Sequence, residues 1–290
     1  MRYGPAVRRR KLGAELRRQR DLAGLTSGEA ARRLDWHQSK VSRIETGRSG
    51  AKPGDVARLL EVYGVTDPQL RALLEALCGG GPSDPEGSRR GWWYAYRDLL
   101  PPAYRDFISL EAEASEAYTL ETTVVPGLLQ TADYARTVTR AALPDLPEDQ
   151  LNTLVEVRIA RQSVLREGRR PLRLHAVLDE AVLRRGVGDA EVMRAQLRQL
   201  AELAALPQVR LQVLPFSAGM PIGITGPFII FSFPHITDLD VVVLDHLTSS
   251  LYLERKEDLR AYSSAFDVLR TNALTPEDSL SFIREIGGGA

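Results

Sequence analysis

Between Cys78 and Gly91 the chain reads CGGGPSDPEGSRRG, glycine, proline and small polar residues with almost no large apolar side chain. No packed helix or strand interior runs through such a stretch. Glycine leaves the unfolded backbone too free, and proline lacks the amide hydrogen that a helix or ladder uses. Residues 79–91 therefore read as a linker or exposed loop. The 290 residues divide into a segment 1–78 and a segment 92–290, long enough together for two domains and a sizeable core.

The two segments differ in charge. The chain is neutral as a whole, yet 1–78 carries 16 Lys/Arg against 9 Asp/Glu, leaving 22 against 29 for the remainder. A front end at net +7 and a remainder at net −7 point to a polyanion meeting the first segment only. On charge alone, a solvated arginine-rich surface explains the figures equally well. The longest apolar runs, such as FIIF and VVVL, are strand-sized, far below the ~20 residues needed to span a bilayer. The basic start MRYGPAVRRRKLGAEL has no apolar stretch after it, so neither a signal peptide nor a membrane segment is expected. Cys78, the single cysteine, excludes an internal disulfide and offers no metal-binding pair. A cytoplasmic protein is the expectation.

Hydrophobic spacing in 1–78 is helical, and five short helices are expected. Leu12 and Leu16 mark one inner face, and Gly24 lies where that helix should stop. Thr26 with Glu29 three residues on forms a capping-box pattern, and Ala30 and Leu34 continue the apolar face behind it. HQSKVSRIE follows, ending before Gly47, then Val56, Leu59, Leu60 and Tyr63 at helical spacing, and last DPQLRALLEAL. Helices over Thr26–Leu34 and Gln38–Glu45, joined by Asp35-Trp36-His37, have helix-turn-helix spacing.

In the second of these helices Val41 and Ile44 turn inward against Ala30 and Leu34, so the polar residues at its start turn outward. Their chemistry suits base edges in a major groove. Gln38 pairs with adenine at N6 and N7, Arg43 with guanine at O6 and N7, and Ser39 serves either. Lys40, Arg48 and Lys52 suit phosphates, which fix register without reading sequence. The run Arg8–Lys11 either extends along phosphates or is a solvated basic tail. A small helical bundle with solvated polar residues is the plainer alternative.

Residues ~9–77 resemble the lambda-repressor-like domain of the XRE (xenobiotic response element) helix-turn-helix family through LGAELRRQRDLAGLT, EAARRL, SKVSRIETG and VARLLEVYGV. Glu45 and Gly47 stand where that family ends its recognition helix. The resemblance implies base reading by Gln38, Ser39 and Arg43. Ser27 stands where many members have a glutamine that supports the first recognition residue and touches phosphate; serine donates to phosphate but braces a neighbour less well. Asp35 replaces the usual turn glycine, and aspartate tolerates positive φ better than most residues. Gly28, inside the first helix of the pair, costs roughly 1 kcal/mol relative to alanine. Some domains of this family bind proteins instead of DNA.

From Trp92 the pattern becomes mixed, and a larger α+β domain is expected. A helix is read around Pro101 and Pro102 as far as Tyr118, then an extended piece LETTVV, a turn and helix in PGLLQTADYARTVTRAAL, and a long amphipathic helix in EDQLNTLVEVRIARQSVLREG. LRLHAVL and VRLQVLPF alternate as strands do, with a helix between them striped by Met193, Leu197, Leu200 and Ala204 and stopping at Pro207. PFIIFSF, DVVVLDHL and SLYLER supply further strands, partly continuous in apolar character and so expected to be buried. Leu259, Tyr262, Phe266 and Leu269 stripe a late helix, and Thr275-Pro276 opens the last one.

Enzyme motifs are missing. His37, His175, His235 and His246 are scattered without metal-ligand spacing, and no GxSxG elbow, Walker loop or GxGxxG precedes a helix. No cofactor or metal is expected, and Cys78 reads as an incidental thiol. Asp238, Asp240 and Asp245 form an acidic cluster that strand alternation explains as well. The loop Pro215–Pro227 is longer than a hairpin needs and serves as a ligand cover or a plain connection. Trp92, Trp93, Tyr94 and Tyr96 read as core packing or an interface anchor.

VVPGLLQTADYAR, LDEAVLRRGVG, LPFSAGMPIGITGPFIIFSF and LTPEDS resemble a domain of unknown function joined to XRE domains in actinobacterial regulators, over most of Trp92–Ile286. That family is described as antitoxin-like, with genes commonly adjoining one for a small partner protein. The resemblance implies a homodimeric transcriptional regulator on double-stranded DNA of two-fold symmetry, its C-terminal domain sensing a partner protein or a ligand. The alternative is an antitoxin-like module that sequesters the partner and touches DNA secondarily.

Overall fold

The computed structural model describes residues 4–47, 49–78, 96, 100, 102–166, 171–219, 226–233, 240–245 and 250–288. The chain forms two compact units, Met1–Ser88 and Arg89–Ala290. The linker expected over 79–91 lies outside the described residues, as do Trp92, Trp93, Tyr94, His235, Asp238 and His246.

The first unit is all helical: α1 (Gly4–Leu22), α2 (Ser27–Leu34), α3 (Gln38–Glu45), α4 (Pro53–Val62) and α5 (Pro68–Leu77). α1 already includes the backbone of the Arg8–Lys11 run. It ends as expected, with Gly24 at φ +69° and Leu25 donating back to the Arg20 carbonyl at 3.1 Å. Thr26 caps α2 in the reciprocal way expected: its hydroxyl accepts from Glu29 N at 3.2 Å, and Glu29 Oε2 accepts from Thr26 N at 2.8 Å. Asp35 ends α2 at φ 56° and ψ 45°, the left-handed conformation the turn requires. Leu12, Leu16, Leu34, Val41, Ile44 and Leu59 are each at most 3% exposed. Burial of each such side chain contributes roughly 1.5–3 kcal/mol.

The second unit is a six-stranded mixed sheet in the order β3-β2-β1-β4-β5-β6. The strands are β1 (Glu116–Glu121), β2 (Arg173–Asp179), β3 (Val209–Leu214), β4 (Phe228–Ser232), β5 (Val241–Asp245) and β6 (Ser250–Leu253). α6 (Pro102–Glu113) precedes β1. The parallel pairs β1·β2 and β2·β3 need long crossovers, which carry α7 (Ala132–Ala142) with α8 (Glu148–Ala160), and α9 (Glu180–Arg184) with α10 (Ala190–Leu203). β4, β5 and β6 pair antiparallel, and α11 (Lys256–Asn272) and α12 (Pro276–Ile286) close the chain.

Phe266 and Leu269 of α11 pack on Leu120, Val177, Phe228, Ile230 and Val242, with Leu259 and Tyr262 at the margin, which is the stripe expected of this helix. Thr275 caps α12 by accepting from Asp278 N at 3.1 Å. Three details differ from the sequence reading. β1 begins at Glu116, inside the stretch read as helical, because Tyr118 and Leu120 alternate onto the α11 cluster. α8 ends at Ala160 in a 3-10 turn, and it carries no single stripe: Leu151 and Val155 meet Ala135, while Val157 meets Leu100 and Ile108. β6 is an edge strand with Leu251 44% exposed, so its apolar run does not mean burial.

The VVPGLLQT stretch is irregular yet buried, so its backbone polar groups need partners. Gln130 donates to the Val125 carbonyl at 2.7 Å, and Gln196 donates to Leu129 O at 2.7 Å while accepting from Thr131 N at 2.8 Å. Gln162 and Gln199 donate to Gln130 O at 2.6 and 2.8 Å. These bonds explain why fully buried Gln196 shares the inner face of α10 with Leu197 and Leu200, while Met193 and Ala204 are only half-buried.

Candidate nucleic-acid interface

α3 is eight residues long and is held from behind by packing against α1 and α2 and by bonds at its C-terminal end. Val41 and Ile44 are buried against α2, and Glu45 closes the far end. The Glu45 carboxylate accepts from Arg20 Nε at 2.9 Å, Arg20 Nη2 at 3.0 Å and Tyr63 Oη at 3.0 Å, joining α1, α3 and the C-terminus of α4. Arg20 Nη1 also donates to the Leu25 carbonyl at 2.7 Å. The bond to Glu45 pushes the Arg20 guanidinium above its usual value against burial, which lowers it, and burial followed by the Glu45 charge pushes the Tyr63 phenol up. Arg20 therefore stays charged and Tyr63 neutral across the ordinary pH range.

α1 lies unusually close to this helix. A Cβ at Gly13 would come within 2.4 Å of Ile44 O and 2.6 Å of Glu45 O, so only glycine fits there. Neither the Arg20–Glu45 pair nor the Gly13 contact was legible in the sequence. The ion pair joins residues 25 apart, and Gly13 sits inside a helical pattern where glycine has no local purpose.

On the opposite face Gln38, Ser39 and Arg43 are exposed. Ser39 and Arg43, four apart, share one helical face, with Gln38 about 100° around from Ser39. Gln38 Nε2 donates to Ser27 Oγ at 3.1 Å, so the shorter serine does brace Gln38. The amide has a second hydrogen and its carbonyl oxygen left, the donor and acceptor that adenine N7 and N6 require. The Ser27 hydroxyl accepts in this bond and keeps its own hydrogen to donate.

Lys40 lies in the first turn of α3. Its Nζ is 2.9 Å from Asp55 Oδ1 and 3.6 Å from the centroid of the Trp36 ring. The Arg58 guanidinium also lies over that ring, at 5.4 Å, and donates to the Leu34 carbonyl at 2.8 Å. Lys52 is exposed at the N-cap of α4, and Arg48 lies outside the described residues. In the second unit, His175 stacks on Tyr118 at 4.8 Å, and burial holds its imidazole below the ordinary value. Phe216 opens the Pro215–Pro227 loop 59% exposed with its amide bonded to Glu180, while 220–225 lie outside the described residues.

Two helices at helix-turn-helix spacing, braced on a five-helix unit and followed by an α+β unit, define a two-unit helix-turn-helix protein. Comparison with known families agrees: residues 11–74 match a helix-turn-helix domain. Residues 104–285 match the family described as "Domain of unknown function (DUF5753)", and the chain belongs to that family. No curated protein and no solved structure matches the chain.

Proposed function

We propose that this chain is a sequence-specific DNA-binding transcriptional regulator that reads the major groove through α3. The observation that carries the reading is the division of α3 into two faces. Val41, Ile44 and Glu45 are buried and bonded from behind, while Gln38, Ser39 and Arg43 stand exposed with groups suited to base edges. Ser27, Lys40 and Lys52 flank them as phosphate-directed groups, Arg48 is assigned the same role from its place in the sequence, and the excess of basic residues in 1–78 supplies the field that draws a duplex in.

Two protomers bound as a homodimer would place their recognition helices in successive major grooves about one helical turn apart, on an operator of approximate two-fold symmetry. The 92–290 segment would then carry the signal, through a partner protein or a ligand.

Competition between operator and scrambled duplexes tests this. Arg43→Ala should lose roughly 1–3 kcal/mol of discrimination at one base pair per half-site. An unchanged preference removes Arg43 from the readers.

A further inference from the structure

Asp55 stands where a helix N-terminus favours a carboxylate, and it also meets a cation of the neighbouring helix. It is the third residue of α4, in a unit of net positive charge, beside the first turn of the helix that carries the recognition residues. Its two oxygens have different duties. Oδ2 accepts from the Lys52 amide at 3.5 Å, a capping contact that orients the side chain. Oδ1 holds the Lys40 ammonium at 2.9 Å, and the Trp36 ring takes another side of the same ammonium.

We infer that Asp55 is an affinity-tempering residue that lowers the unit's affinity for DNA of any sequence by holding Lys40. The inference rests on the DNA-binding reading and adds a residue to it. A lysine on the first turn of α3 can neutralise a phosphate only by giving up part of its contact with Asp55. The Lys40 side chain is 38% exposed and Asp55 23%, so water and counter-ions reach the pair and the exchange is open. Trp36 limits where the ammonium goes when it leaves, because the charge already lies over the ring. Each phosphate neutralised by a protein cation releases counter-ions and steepens the dependence of log K on log[salt] by about 0.9. A cation spent on an internal carboxylate does not contribute this term. The tempering acts equally on every sequence, so it weakens binding to operator and non-operator DNA alike and leaves the ratio between them to the base readers.

The test is the salt dependence of binding by the full chain to a 30-base-pair duplex of arbitrary sequence, for the wild type, Asp55→Asn, Lys40→Gln and the double variant. Asparagine retains an oxygen for the Lys52 amide, so α4 keeps its cap, and matching thermal transitions establish that the fold is intact. Asp55→Asn should bind roughly tenfold tighter at about 0.1 M salt, with a slope steeper by about one. Adding Lys40→Gln to it should return the slope to the wild-type value. An unchanged or shallower slope in Asp55→Asn, or a steeper slope that persists in the double variant, overturns the role given to Asp55. A wild-type chain without affinity for any duplex removes the DNA-binding reading itself, and this inference with it.

Discussion

Arg20 of α1 and Glu45 of α3 meet as a two-pronged pair, Nε to Oε1 at 2.9 Å and Nη2 to Oε2 at 3.0 Å, with side-chain exposures of 9% and 4%. The pair fixes the end of α3 to α1, the longest helix described in its unit. Being buried, it is a poor source of net stability against a well-packed apolar replacement, yet it is costly to break from one side.

Glu45→Ala therefore leaves a buried guanidinium with only the Leu25 carbonyl and Asp21 as partners, and deprives Tyr63 of its acceptor. The expected loss is about 3–5 kcal/mol in the first unit. Urea unfolding read by amide exchange in α1 and α3 measures it. An Arg20→Met/Glu45→Leu double variant should recover most of that loss, and failure to do so would give the pair a larger net contribution than burial physics allows.

Gly13→Ala should separate α1 from α3. The added carbon meets backbone oxygens of Ile44 and Glu45, which have no rotamer through which to withdraw. Overpacking of this kind costs up to about 3 kcal/mol, more than the roughly 1 kcal/mol that alanine gains in helix propensity. A thermal transition at or above that of the wild type would contradict the close approach.

Gly28→Ala has the opposite sign. Its nearest neighbour for a new Cβ is Thr26 Oγ1 at 4.0 Å, and the residue lies within α2. The variant should be more stable by roughly 0.5–1 kcal/mol, through a less free unfolded chain. The same experiment reads both glycines, and equal effects at the two sites would mean that packing around α1 is not what distinguishes them.

These positions also show which parts of the molecule sequence reasoning reaches. Local rules located Thr26 and Glu29 as a capping box, Asp35 at a left-handed turn and Thr275 as a cap, because each is settled within four residues. Helical spacing found the α11 stripe and the inner face of α3. What escaped depends on distant partners. Arg161 and Glu111 form a buried pair 50 residues apart, and Gln196 reaches back 67 residues to Leu129. Lys40 was legible as a cation on the first turn of α3, but the carboxylate that holds it lies 15 residues away on another helix. β6 misled for a different reason: an apolar run reports what a strand is made of, not whether a neighbour covers it.

Glu121 links the second unit's stability to pH. It ends β1, and burial, followed by the charge of Asp245 at the end of β5, raises its carboxyl to about 8, against the hydrogen bond from Thr119, which lowers it. An unfolded glutamate titrates near about 4.3, so the folded state binds the proton more tightly over the interval between. Stability from this group is complete below about pH 4.3, declines as pH rises toward 8, and is flat above. The urea midpoint of the second unit should therefore fall between pH 5 and 8, and Glu121→Gln, which stays neutral throughout, should flatten that fall. His175, held low by burial, pulls the wild-type midpoint the other way, so the comparison with the variant decides: a glutamine variant with the wild-type slope would show that the carboxyl is already ionised in the folded chain.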